Sequence, residues 1–270
     1  MIQVKNLSYG YNKRRLVLEG INLTLPVGHI YGLLGKNGVG KSTLLKLMAG
    51  TLRGEGECTI DGTPSADRPV KLLERLRLLP ENETIPELTI QQMSMVMEGL
   101  YPTFSRERLF SALRAFELED DAVLSRLSMG GQKKAMVSMA IACGTEYLLL
   151  DEPTNGMDIP SKAVFRRLIA DAVADPDCKT HTVVISTHQV DDLENLIDAV
   201  TIMSDRGILL SDTLEEIGKR FCFGKADEGD EVLYSEPSIH GDKCMMRNTS
   251  GIEMPVDVKL LFSGIVNGID

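Results

Sequence analysis

Gly35-Lys36-Asn37-Gly38-Val39-Gly40-Lys41-Ser42-Thr43 decides how this 270-residue chain is read. The stretch fits G-x-x-x-x-G-K-[S/T], with Gly35, Gly40, Lys41 and Ser42 in register. The apolar run Ile30-Tyr31-Gly32-Leu33-Leu34 before it suits a buried strand. Thr43-Leu44-Leu45-Lys46-Leu47-Met48-Ala49 after it has helical character. Strand, glycine loop and helix are the setting this pattern requires. Gly35, Gly38 and Gly40 are expected to take φ > 0, so that the loop can turn its N–H groups onto phosphate oxygens. The helix N-terminus adds its dipole. The chemistry of the pattern assigns Lys41 to the β- and γ-phosphates of a nucleoside triphosphate such as ATP, and the Ser42 hydroxyl to Mg²⁺.

The bulk properties narrow the setting. Length suits one large domain or a domain with appended subdomains, and a hydrophobic content of 43% supports a substantial core. A net charge of −10 disfavours a general nucleic-acid binder, so no nucleic acid is expected as partner. Cys58, Cys143, Cys178, Cys222 and Cys244 are scattered without a C-x-x-C pair, which predicts a thiol-reducing compartment with neither disulfide nor zinc site. The N-terminus does not read as a signal peptide. No apolar run approaches the roughly 20 residues of a membrane helix. Any membrane role would then run through a partner chain.

Periodicity sets the elements. Residues 1–30 alternate apolar and polar positions with turns between, and predict antiparallel strands. Residues 54–67 predict a hairpin, and Leu76-Arg77-Leu78-Leu79-Pro80 an extended piece. Thr89 with Gln92 forms a capping box, followed by Met93, Val96, Met97 and Leu100 as a helical core stripe. A second helix is expected over about 106–117, with Leu109, Leu113 and Phe116 inward. From residue 130 helices and strands alternate: helices over 132–143, 161–173 and 189–197, and strands at 147–150, 182–186 and twice within 199–210. That order predicts a parallel sheet with crossover helices. Residues 224–230 read as a linker, 231–235 and 243–248 as a hairpin, and 257–266 as a helix capped by Asp257.

Two further motifs carry chemistry. Tyr147-Leu148-Leu149-Leu150 delivers Asp151 and Glu152 at the C-terminal edge of a strand. Asp151 is a candidate for holding Mg²⁺, and Glu152 for orienting or deprotonating an attacking water. Leu127-Ser128-Met129-Gly130-Gly131-Gln132 opens a helix whose free N–H groups face an anion. The order of glycine loop, L-S-x-G, D-E strand, then Gly156-Met157-Asp158 and His188 resembles the ATP-binding subunit of ABC transporters over about residues 1–215.

That resemblance implies an α/β fold, a P-loop NTPase (RecA-like) core with a mainly parallel sheet. It also implies an N-terminal antiparallel β subdomain and an inserted α-helical subdomain at about 86–140. Residues 1–223 would be the cassette and 224–270 a short C-terminal extension. It implies cofactor contacts from Gly35, Lys36, Asn37, Gly38, Val39, Gly40, Lys41, Ser42 and Thr43. Tyr11 would stack on adenine, with Tyr9 as the alternative. Glu152, His188 and Lys41 would be catalytic, and Ser42, Asp151 and Glu81 would serve the metal. Ser128, Gly130 and Asp158 would contact the nucleotide of a second ATP-binding subunit, since the two half-sites of one chain cannot meet. His29, His181 and His240 match no motif and are expected at the surface.

This sequence departs from the family pattern at two places. Glu81 stands where Gln is usual, with Asn82 following, and adds a negative charge beside a triphosphate. In the signature the Gln is shifted to position 132. The implied function is ATP hydrolysis driving a separate membrane permease, docked on residues 86–117, from the cytoplasmic face of the membrane. The tail resembles those of small exporters. The alternatives are a soluble ATPase of the same family acting on ribosomes or DNA, and a regulatory module without turnover. A single cassette, and a gap between P-loop and signature too short for long coils, count against the first. Glu152 and His188 count against the second.

Overall fold

A computed structural model describes residues 1–270 apart from Lys13, Arg14, Arg206, His240, Ile269 and Asp270. The expectation for His240 therefore lies outside the described residues. The chain opens with β1 (Ile2–Tyr9), β2 (Leu18–Leu25) and β3 (Ile30–Gly35), then α1 (Lys41–Met48). β4 (Glu55–Ile60), β5 (Thr63–Pro64), α2 (Val70–Leu73) and β6 (Leu76–Leu79) follow. The helices α3 (Ile90–Leu100), α4 (Arg106–Ala115) and α5 (Met129–Ala142) form one layer. Next come β7 (Tyr147–Asp151), α6 (Ile159–Ala174), β8 (Thr182–Thr187), β9 (Ala199–Ser204), β10 (Gly207–Thr213) and α7 (Leu214–Arg220). β11 (Phe221–Gly224), β12 (Val232–Glu236), β13 (Lys243–Arg247) and α8 (Val258–Val266) complete the chain.

The central sheet has the order β10-β9-β3-β8-β7-β6. Its strands are parallel except β10, which pairs antiparallel with β9. Because side chains alternate across a strand, a sheet covered on both faces needs strands that are apolar throughout. β7 meets that demand. Leu148 and Leu150 join the core under the helical layer, while Tyr147 and Leu149 join the core around α1. β1, β2, β4 and β5 form the expected antiparallel sheet over the second core.

The helical layer differs from the sequence reading in one face. Thr89 and Gln92 form the predicted reciprocal capping box at the start of α3. The buried stripe, however, is Ile90, Ser94 and Met97. Val96 and Leu100 are 47% and 60% exposed, and Met95 beside them is 56% exposed. The helical period holds, but the buried stripe is rotated toward Ile90, leaving Val96 and Leu100, one turn apart, facing outward.

A second correction concerns 189–197. Only Val190–Leu193 forms a turn of 3-10 helix. Glu194 leaves the helical region and Asn195 takes φ 59°, which ends the helix at once. The C-terminal hairpin forms as expected between β12 and β13, and β11 adds a third strand to it. Met245 of this sheet and Leu260, Leu261 and Ile265 of α8 are buried in the same core as β7 and β8.

Candidate active site

β3 is buried at all six positions and ends at Gly35, where the chain turns outward. Gly38 and Gly40 have φ 85° and 105°, conformations that disfavour any residue with a Cβ. A Cβ on Gly40 would also lie 2.6 Å from Leu18 Cδ2. Gly35 departs from expectation, since its φ is not positive. Glycine is needed there because a Cβ would sit 2.8 Å from the Met203 carbonyl oxygen.

Lys41 begins α1 and is only 6% exposed. Its ammonium donates to the carbonyls of Gly35 at 2.7 Å and Lys36 at 3.2 Å, and lies 3.8 Å from Glu152 Oε1. Burial pulls its pKa down, and the carboxylates of Glu152, Asp151 and Glu81 oppose that pull. A cation so withdrawn from water gains from an arriving anion.

The carboxylates meet the loop at one point. Asp151 Oδ1 accepts from Ser42 Oγ at 2.9 Å and from Ser186 Oγ at 2.6 Å. Parallel register sets Asp151 directly beside Ser186. Ser186 was legible as part of an apolar strand, and its role was missed. The available signal was a hydroxyl at the end of a buried strand, two positions before His188. Glu152 takes the left-handed φ of 46°, and its N–H donates to both the carbonyl and the hydroxyl of Ser186 at 3.1 Å. That turn holds the Glu152 side chain, 8% exposed, 2.9 Å from His188 Nδ1. An ionised carboxylate only accepts, so the shared proton sits on Nδ1. Two residues on, Thr154 Oγ1 donates to Asp192 Oδ2 at 2.6 Å, and Lys162 donates to the same carboxylate at 2.7 Å.

Glu81 faces this group from the loop after β6. Its Oε1 accepts from Asn155 Nδ2 at 3.1 Å, and its carbonyl accepts from Lys133 Nζ at 2.8 Å. Behind the loop, Arg77 and Glu83 form an inner ion pair at 2.9 Å. Tyr11 is 60% exposed, bonds Thr43 Oγ1 at 3.2 Å and meets Tyr9 edge-on at 5.1 Å. An open cleft of about 450 Å³ separates Tyr11 and the glycine loop from Glu81, Glu152, Asn155 and His188. A larger cavity of about 870 Å³ lies between residues 190–197 and the C-terminal extension, away from these groups. Ser42, Asp151 and Glu81 offer oxygen donors alone, a set that suits Mg²⁺.

Ser128, Gly130 and Asp158 do not line the cleft. Ser128 caps α5 by accepting from the Gly131 N–H at 3.1 Å, and Asp158 caps α6 through Ser161. A Cβ on Gly130 would sit 2.9 Å from the Gly156 carbonyl, so the two motifs touch each other. The shifted Gln132 does not reach outward. It donates to the carbonyls of Ser125 and Leu127 and braces the turn. Lys36 is exposed and Val39 packs toward Gly35. His29 and His181 are partly exposed and bond Asp198 and Thr182.

The model of the ABC transporter family matches residues 18–155. Among relatives, the ABC transporter ATP-binding protein YtrB of Bacillus subtilis is 26% identical over 82% of this chain and 75% of its own length. The petrobactin import ATP-binding protein YclP of the same species is 31% identical over 80% and 88%. The daunorubicin/doxorubicin resistance ATP-binding protein DrrA of Streptomyces peucetius is 28% identical over 80% and 66%. A solved ATP-binding subunit of an ABC transporter superposes with a TM-score of 0.70 at 26% identity, over 80% of this chain and 91% of that one. The chain belongs to the ABC transporter family and is an ATP-binding, ATP-hydrolysing cassette.

Ser186→Ala should destabilise the fold by about 1–3 kcal/mol, because it removes a donor from the buried Asp151 carboxylate. Urea unfolding checks this. A loss no larger than that of an exposed serine replaced by alanine would show that Asp151 does not depend on it.

Proposed function

We propose that the cleft binds ATP with Mg²⁺ and that Glu152 activates the water that attacks the γ-phosphate. The observation that carries this reading is the 2.9 Å contact between Ser42 and Asp151, which joins the glycine loop to the end of β7. On this reading the N–H groups from Lys36, Asn37, Gly38, Val39 and Gly40 to Thr43 cradle the phosphates. Lys41 exchanges the loop carbonyls for the β- and γ-oxygens. Ser42, Asp151 and Glu81 would hold the Mg²⁺, which when bound would offset the charge of the triphosphate. Tyr11 offers its exposed ring to adenine. Glu152 takes the proton of the water as the new O–P bond forms and ADP leaves with the electrons of the broken bond. His188 keeps Glu152 aimed through Nδ1–H and leaves Nε2 for the γ-phosphate.

We infer that Ser128, Gly130 and Asp158 serve the nucleotide of a second ATP-binding subunit. That they do not line this chain's own cleft supports this, as does the exposed α5 N-terminus with Met129 75% exposed. Two ATP molecules would then be enclosed in a two-fold dimer, with hydrolysis reopening it. Exposed apolar side chains on α3, Val96 with Leu100 one turn on and Met95 on a neighbouring face, support a membrane permease docking there, close to the Glu81 loop. Among the described residues no helix is long and apolar enough to cross a membrane. Such a permease would hold the chain at the cytoplasmic face. We take export as the direction, in line with the drug-resistance relative. The import relative gives the opposite direction, and vesicle transport with the co-purified permease decides between them.

Glu152→Gln should retain ATP affinity while turnover falls by about 10² or more. Lys41→Ala should lose tight nucleotide binding. Calorimetry and phosphate release measure both, and a Glu152→Gln protein turning over near the wild-type rate would remove Glu152 from catalysis. Ser128→Arg should leave ATP binding to the monomer intact and abolish the dependence of turnover on protein concentration. Full, concentration-dependent activity in that variant would refute the trans role. Cysteines placed at positions 95, 96 and 100 should cross-link to the permease. Cross-links confined to the tail beyond residue 225 would exclude the α3 strip as the docking face.

A further inference from the structure

We propose that Lys133 is a positioning residue for the metal side of the nucleotide site, fixing the loop of Glu81 and offsetting the carboxylate that Glu81 brings there. The proposal rests on the reading of the cleft as the ATP site. Four observations carry it. Lys133 Nζ donates to the Glu81 carbonyl at 2.8 Å across 52 positions of sequence, so α5 holds the loop directly. Burial pulls the pKa of its ammonium down, and the carboxylates of Glu81, Asp151, Glu83 and Glu152 oppose that pull. Lys41 faces three of the same carboxylates, but a bound triphosphate would claim it. Arg77, the nearby guanidinium, is already committed to Glu83 at 2.9 Å.

The need for such a cation follows from position 81. The ABC pattern has a neutral amide there, and this chain has a carboxylate. Asp151, Glu152 and Glu81 together would repel a triphosphate until a metal or a lysine offsets them. Lys133 supplies one positive charge from a rigid element. The same helix carries Ser128 at its N-cap, five positions earlier. A shift of the signature end of α5 is therefore transmitted to the Glu81 loop through one ammonium.

The test is a double-mutant cycle on the full chain, with ATP affinity measured by calorimetry without metal and with Mg²⁺. The proteins are wild type, Lys133→Gln, Lys133→Arg, Glu81→Gln and Glu81→Gln/Lys133→Gln. Metal-free ATP should bind about tenfold more weakly to Lys133→Gln, and ATP with Mg²⁺ less than about threefold more weakly, because the metal replaces the missing charge. Lys133→Arg should bind as the wild type does. In the Glu81→Gln background the same lysine change should cost less than about threefold without metal. A merely structural role would give equal losses in both backgrounds and with or without Mg²⁺, and that result overturns the proposal. So does an unchanged metal-free affinity in Lys133→Gln. Thermal melting of each variant ensures that folded protein is compared. Lys41→Ala is the separate control: wild-type affinity in it would refute the ATP site itself.

Discussion

Two adjacent carboxylates at the end of one buried strand impose the main constraint on this molecule. Asp151 is 2% exposed and Glu152 6% exposed. Charges so placed are tolerated only when donors and cations surround them. The surroundings come from every part of the chain: Ser42 from the helix after the glycine loop, Ser186 from the neighbouring strand, Lys41, and His188. Each arrives because the central sheet is parallel. Parallel register puts the C-terminal ends of β3, β7 and β8 along one edge, and the loops that leave those ends carry the chemistry.

The same sheet explains why the site is rigid on one side and movable on the other. Behind the carboxylates lie Leu148, Leu149 and Leu150, each no more than 1% exposed. Facing them, Glu81 stands on a loop that leads into α3, held by single hydrogen bonds to Asn155 and Lys133. Displacing the strand would disrupt two cores. Displacing the loop breaks only a few polar contacts, and the loop leads directly into α3.

Much of this was legible in the sequence because the signals were local. The glycine loop, the strand ending in Asp151-Glu152 and the Thr89 cap each sit within a few residues, where spacing alone determines geometry. What escaped notice depends on residues brought together from afar. Ser186 matters because it lies beside Asp151, 35 positions away, and Lys133 because it reaches Glu81. The exposed face of α3 could not be read from period, since 3.6-residue spacing gives a stripe without saying which neighbour covers it. Gly35 was assigned to the right residue type for the wrong cause. Its constraint is the Met203 carbonyl on the adjacent strand, and no local pattern reveals such an approach. The segment at 189–197 looked helical by composition, but Asn195 in the left-handed region closes it after one turn.

Thr154 and Asp192 complete a small closed frame. From Glu152 the chain runs two residues to Thr154, crosses by hydrogen bond to Asp192, returns four residues to His188, and crosses back to Glu152. Two lengths of backbone and two hydrogen bonds thus make a four-sided linkage. In kinematic terms its rigid sides are short, so neither corner can travel far while the opposite crossing holds. The imidazole can still turn about its own bonds, so the frame limits how far the two backbone segments separate and leaves the side-chain rotamers free. Lys162 stiffens that far corner by binding the same carboxylate. The spacing of the backbones that carry Glu152 and His188 is therefore held by a contact that touches neither residue.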